Sequence, residues 1–93
     1  MGELYVSPER HIVRCAGRDV TLTFKEFELL CLMLSNRGTV FTRDQILQRI
    51  WGFEFDGENR TVDVHIRTLR TKLGACGEYI ETVRGIGYKV SDK

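Results

Sequence analysis

The chain has 93 residues, 42% of them hydrophobic and 29% charged, with a formal net charge of +1. These are the values of one folded domain with a modest core, and they argue against a disordered chain. The charge is unevenly placed: residues 1–58 hold seven Lys/Arg against nine Asp/Glu, and residues 59–93 hold seven against four.

The first 23 residues read as short strands. Leu4–Val6 is one, His11–Cys15 a second and Val20–Thr23 a third. Ser7-Pro8-Glu9-Arg10 and Ala16-Gly17-Arg18-Asp19 carry the turn chemistry between them. The alternation puts Val13 and Cys15 on the face opposite Ile12 and Arg14. The segment is expected to form a small antiparallel meander.

The period then changes. Thr23-Phe-Lys-Glu26 is a capping box, with the Thr hydroxyl at the N-cap and Glu at the third helical position. Phe27, Leu30, Cys31 and Leu34 follow as an apolar set, with Leu29 and Met33 beside it. Asn36 and Gly38 end this first helix. Thr39–Phe41 is an extended link. Thr42-Arg-Asp-Gln45 is a second capping box, opening a helix through Ile46, Leu47 and Ile50 to Trp51, where Gly52 stops it. The loop 52–58 holds Phe53, Phe55 and three acids. Asn59 is placed to cap a third helix, and Gly74 and Gly77 bracket its end.

That third helix, Arg60–Leu73, has two faces. Val62, Ile66, Leu69 and Leu73 fall at i, i+4, i+7 and i+11, which makes an apolar core side. Arg60, Val64, Arg67 and Thr71 repeat the spacing about 180° away, at roughly 100° per residue, and Thr68 flanks them. Arg can hold guanine or phosphate, and Thr and Val methyls can touch a thymine methyl. The bland reading of the same face is a solvated one. Tyr79–Val83 and Tyr88–Val90 then read as a hairpin around Arg84-Gly-Ile-Gly87, whose glycines are free to take positive φ. The order is sheet, helix, helix, loop, two-faced helix, hairpin. That is an α+β winged helix-turn-helix: an N-terminal antiparallel meander, three helices and a C-terminal hairpin wing. The whole of 1–93 forms one domain, and Arg84 at the wing tip is placed to reach a minor groove.

Cys15, Cys31 and Cys76 are an odd number with no close pair, a poor disulfide framework. Reduced thiols in a cytoplasmic protein are the simplest expectation, with Cys31 a small core residue. No apolar run approaches the roughly 18 residues of a membrane span, and the start has no secretory signal pattern. His11 and His65 lie far apart. No HExxH, CxxC or nucleophile elbow is present, so neither an enzyme nor a metal or cofactor site is expected. His65 is read as a packing or hydrogen-bonding residue rather than a ligand, and Trp51 as core. Asp63 is expected to pair with Arg60, Arg67 or Arg70. Phe53 and Phe55 divide between core and partner contact. Gly85-Ile-Gly87 is read as a turn rather than a phosphate cradle.

The chain resembles the C-terminal effector domain of the OmpR/PhoB-type two-component response regulators. The matching stretches are Leu22–Leu30, Thr42–Leu47 with Ile50-Trp-Gly52, Arg60–Arg67 with Leu69, Arg70 and Leu73, and Thr82–Tyr88. The resemblance implies sequence-specific binding of double-stranded DNA for transcriptional control. Its recognition helix would be 60–73, with Arg60, Thr61, Val64, Arg67, Thr68 and Thr71 facing the major groove and Arg70 and Lys72 flanking them. Arg84 matches the wing arginine, and Thr82 and Tyr88 match wing-strand positions near phosphate. The N-terminus of the second helix at Thr42 is placed to give backbone N–H groups to phosphate. Phe53, Glu54, Phe55 and Asp56 fall in the loop that contacts RNA polymerase in several members. The resemblance further implies an N-terminal receiver domain, absent from this chain, phosphorylated by a sensor kinase. The output domain would be a monomer off DNA and a tandem dimer on direct-repeat half-sites. Thr68 and Thr71 stand where many members carry Arg or Lys, which implies a weaker phosphate grip or a different base preference. The rival reading is a winged helix that binds protein or RNA.

Overall fold

The computed structural model describes residues 2–52 and 59–91. Strands β1 (Leu4–Ser7), β2 (Ile12–Cys15) and β3 (Arg18–Asp19) form an antiparallel sheet in that order. Val13 and Cys15 point inward and Arg14 outward, as the alternation requires. The third strand differs from expectation. Ala16 and Gly17 both take positive φ, 52° and 80°, so the chain reverses in two residues and pairs Arg18 with Cys15 and Asp19 with Arg14. The strand therefore ends before Val20, and the apolar Val20 and Leu22 pack on the core from outside the sheet.

Helix α1 (Phe24–Leu34) begins at the capping box: Thr23 Oγ1 accepts from Glu26 N–H, and Glu26 Oε1 accepts from Thr23 N–H. It turns Phe27, Leu29, Leu30 and Met33 inward. Cys31 and Leu34 are only partly buried, because the inward face is centred on Leu29, Leu30 and Met33, one residue away from the row read in the sequence. Cys31 instead lines an open hollow with Phe24 and Leu32.

The link after α1 ends in a strand, β4 (Phe41–Thr42). Helix α2 (Arg43–Ile46) opens at the second capping box, in which Thr42 and Gln45 bond reciprocally. It continues as a wider i→i+5 turn over Leu47–Trp51 and stops at Gly52, φ 97°. Helix α3 (Arg60–Leu73) runs into a 3₁₀ turn (Gly74–Tyr79), and β5 (Ile80–Val83) and β6 (Gly87–Val90) form the hairpin. The second sheet is ordered β4-β6-β5. Val62, Ile66, Leu69 and Leu73 of α3 are at most 2% exposed and share one core with α1, Ile46 and Val90.

The structure overturns the expectation of three reduced thiols. Cys15 on β2 and Cys76 in the 3₁₀ turn form a disulfide, with Cα atoms 6.0 Å apart across a separation of 61 residues. Both are buried where the first sheet meets the end of α3. Only Cys31 is a free cysteine among the described residues.

Candidate nucleic-acid interface

The core row of α3 fixes the direction of its other side. Arg60, Val64, Arg67 and Thr71 are exposed there, with Thr61 and Thr68 half-buried at its margins. Among the described residues, Arg60 and Arg67 form no salt bridge. Thr68 and Thr71 donate their hydroxyl hydrogens back to the carbonyls of Val64 and Arg67, each at 3.0 Å. Asn59 stands at the N-cap but is in the helical region, and its side chain makes no cap bond. Its carbonyl instead accepts from Val62 N–H, closing a tight first turn.

A second set of charged side chains locks α3 to its neighbours. Asp63 Oδ1 accepts from Arg43 Nε at 2.7 Å and from the Tyr88 hydroxyl. It thus ties α3 to α2 and to the wing. Burial pushes the Asp63 carboxyl up, but the Tyr88 and Arg43 hydrogen bonds outweigh it and hold it below the usual carboxylate range. Burial and the bond to Asp63 raise the Tyr88 phenol. Arg70 donates to the Ile80 carbonyl at 2.9 and 3.1 Å and to Thr82 Oγ1 at 2.8 Å. The guanidiniums of Arg43 and Arg70 lie 5.5 and 5.6 Å from the centre of the Tyr88 ring. Lys72 reaches the other way, 2.8 Å from Oε1 of Glu26 on α1, whose residue is 3% exposed. Burial disfavours the Glu26 carboxylate, yet Lys72 and the Thr23 N–H together keep it below its ordinary range.

The hairpin places Arg84 at an exposed tip, and among the described residues it forms no salt bridge. The two turn glycines have different reasons. Gly85 takes φ 76°, which the turn requires. Gly87 does not take positive φ; it pairs with Thr42, and a Cβ there would lie 1.9 Å from the Phe41 carbonyl oxygen.

This geometry can be set beside known proteins. The family model described as "Transcriptional regulatory protein, C terminal" matches residues 17–90. The chain belongs to this family. Its members of the OmpR/PhoB type are transcriptional response regulators, and the domain is their DNA-binding winged helix. The regulatory protein VanRB of Enterococcus faecalis is 45% identical over 92 residues, which cover 99% of this chain and 41% of VanRB. The chain thus spans about two fifths of the length of that relative. The DNA-binding domain of Bacillus subtilis CssR superposes with a TM-score of 0.85 at 35% identity, covering 94% of this chain and 98% of that one. The DNA-binding domain of Klebsiella pneumoniae RstA, solved in complex with RstA box, superposes with a TM-score of 0.83 at 35% identity, over 97% and 92%.

Within this effector domain the residues picked out by sequence fall into two groups. Arg60, Thr61, Val64, Arg67, Thr68 and Thr71 share one side of α3, and Arg84 is exposed at the wing tip. Arg70, Lys72, Thr82 and Tyr88 are engaged within the fold. Thr42 is occupied as a cap. Asp63 pairs with Arg43 rather than with an arginine of its own helix, because it sits on the side of α3 that meets α2. Arg43 was the residue sequence reasoning missed; its place at the first position of α2 was visible, its partner was not. His65 Nδ1 lies 2.9 Å from the Thr61 carbonyl, and its ring meets Trp51 edge-on at 4.8 Å. Trp51 is half-buried rather than core. Phe53, Glu54, Phe55 and Asp56 lie outside the described residues.

Proposed function

We propose that this effector domain binds duplex DNA sequence-specifically, with the outer side of α3 in the major groove and Arg84 in an adjacent minor groove. The observation that carries the reading is the division of α3: four buried apolar residues on one side, and on the other Val64 and Thr71 with two exposed arginines that form no salt bridge among the described residues. The RstA domain, of the same fold, was solved on its DNA box. Arg43, Asp63, Tyr88 and Arg70 support the reading from behind, since they fix the angle between α2, α3 and the wing. The backbone N–H groups of the opening turn of α2 after Thr42, whose own N–H is taken by Gln45 Oε1, are a further phosphate contact.

The wider system follows from the family. An upstream receiver domain, phosphorylated by a sensor kinase, would pair two such domains on direct repeats in the cytoplasm. Off DNA the isolated domain is a monomer. The segment 53–56 would meet RNA polymerase. No helix among the described residues is long and apolar enough to cross a membrane.

The test is selection from a randomised duplex pool, followed by a salt titration on the enriched sequence. The expected result is a tandem pair of similar motifs about one helical turn apart, with affinity falling steeply as salt rises. Arg84→Ala should erase a preference for A·T flanks and leave the half-site preference intact. Enrichment of nothing, with affinity indifferent to salt, would replace the DNA reading by a protein- or RNA-binding winged helix.

A further inference from the structure

The outer side of α3 is less polar than its composition suggests. A threonine hydroxyl has a single hydrogen to donate. In Thr68 that hydrogen is spent on the Val64 carbonyl, and in Thr71 on the Arg67 carbonyl. Neither hydroxyl can donate to a base or a phosphate without giving up a bond inside the helix. With Oγ1 turned back along the helix, the Cγ2 methyl is the part of the side chain left to project. Val64 is 54% exposed and stands four residues before Thr68, on the same side. Residues four apart on a helix are neighbours, about 5–6 Å between Cβ atoms. The two side chains therefore form one apolar patch beside the exposed guanidinium of Arg67.

The major groove offers that patch one apolar counterpart on a base edge, the 5-methyl group of thymine. Guanine and adenine present acceptors and amino groups there, and cytosine presents a donor. Burying a Thr68 methyl against any of these would strip water from a polar edge and return no hydrogen bond.

We propose that Thr68, supported by Val64, is a specificity-determining residue of this domain that selects thymine through its 5-methyl group. The proposal rests on the placement of α3 in the major groove. It concerns a position that a long cation would turn into a reader of guanine or phosphate.

The experiment uses the 93-residue chain and the duplex enriched by selection. Each thymine of the half-site is replaced in turn by deoxyuridine, which removes the methyl and leaves base pairing unchanged. Kd is expected to rise about three- to tenfold at one position, the scale of one buried methyl. Thr68→Val keeps both branches of the side chain and should retain the affinity and the deoxyuridine effect. Thr68→Ser keeps the hydroxyl and loses the methyl; it should bind the thymine duplex about three- to tenfold more weakly and no longer distinguish deoxyuridine there. A specific duplex whose affinity ignores deoxyuridine at every position overturns the proposal and leaves DNA binding standing. A penalty that persists unchanged in Thr68→Ser assigns the methyl to another residue and also overturns it. Loss of affinity in Thr68→Val with retention in Thr68→Ser makes the hydroxyl the contact and overturns it too. Failure to enrich any duplex brings down the underlying reading instead, so the two failures are distinguishable.

Discussion

Arg67 and Arg70 are three residues apart on one helix, and the fold uses them oppositely. Arg67 is exposed and unbridged among the described residues, facing away from the core. Arg70 is half-buried, with its guanidinium committed to the Ile80 carbonyl and the Thr82 hydroxyl. The same contrast separates Arg60 and Arg84 from Arg43 and Lys72. Helical periodicity gives the reason: three residues turn the chain by roughly 300°, which carries Arg70 round to the flank beside the wing. A basic helix in this domain is thus two devices. One set of cations is left in water for an anionic partner. The other pairs with the half-buried Asp63 and buried Glu26 carboxylates and donates to the Ile80 carbonyl, and so sets where the first set points. Counting basic residues overestimates the binding surface.

The largest effect should come from a holding element that carries no charge. Reducing the Cys15–Cys76 disulfide releases a 61-residue separation in the unfolded chain. In the chain-entropy account a loop of this length is worth about 4 kcal/mol. For a domain of this size that is a fall in melting temperature on the order of 10–30 °C. Thermal unfolding with and without reductant measures it, with a thiol count rising from the single Cys31 to all three cysteines as the control. Binding at low temperature should hardly change, because Arg70 and Asp63 still fix α3 against the wing. An unaltered melting temperature after complete reduction would remove the disulfide from the holding set.

The next pair of substitutions divides the two devices directly. Arg70→Met leaves the Ile80 carbonyl and Thr82 without their donor and should cost about 1.5–3 kcal/mol of stability. Arg67→Ala should leave stability within about 0.5 kcal/mol. It should weaken binding by about 1–3 kcal/mol, which is roughly 5- to 150-fold in Kd. Paired denaturation and binding curves read both quantities. If Arg70→Met leaves stability intact and Arg67→Ala lowers it, the division between holding and reading is wrong.

The legible parts were those written in local chemistry. Both capping boxes, the α3 core row and the hairpin are set by residues within a few positions of one another, so the sequence displayed them. The outer side of α3 followed from the same periodicity. The missing parts depend on residues far apart in the chain. Nothing near Asp63 names Arg43 or Tyr88, which lie 20 and 25 residues away. Lys72 and Glu26 are 46 apart, and the two bridged cysteines 61. The family resemblance gave Thr82 and Tyr88 as wing-strand positions near phosphate; what it did not display is that Thr82 Oγ1 accepts from Arg70 and the Tyr88 hydroxyl donates to Asp63. The short third strand was misplaced for a local reason, since Ala16 adopts a positive φ that its side chain does not advertise.

The smallest effect is electrostatic and confined to acid. Asp63 is held below the usual carboxylate range by Tyr88 and Arg43 against the opposing effect of burial, and Glu26 by Lys72 and the Thr23 N–H. A carboxyl depressed in the folded state adds stability that is complete above its unfolded pKa, about 3.9 for Asp. That stability is lost as pH falls through the folded value, because the unfolded chain takes up the proton first. The Asp63 side chain is 42% exposed, so solvent screens its pairs and the Asp63 contribution should stay below about 1 kcal/mol. Denaturant unfolding between neutral pH and pH 3 is the measurement. Asp63→Asn should flatten the fall below about pH 4, and its residual slope should then belong to Glu26 and the remaining acids. At neutral pH the same variant should loosen the wing against α3, because a neutral Asn oxygen accepts the Tyr88 hydroxyl more weakly than the Asp63 carboxylate does. It should therefore blur the flank preference attributed to Arg84 while leaving the half-site preference of Arg67 and Thr68 in place. An acid limb identical in Asp63→Asn and the parent would mean that the Arg43–Asp63–Tyr88 cluster orients the wing without contributing to stability. An unchanged flank preference would mean that it does not orient the wing.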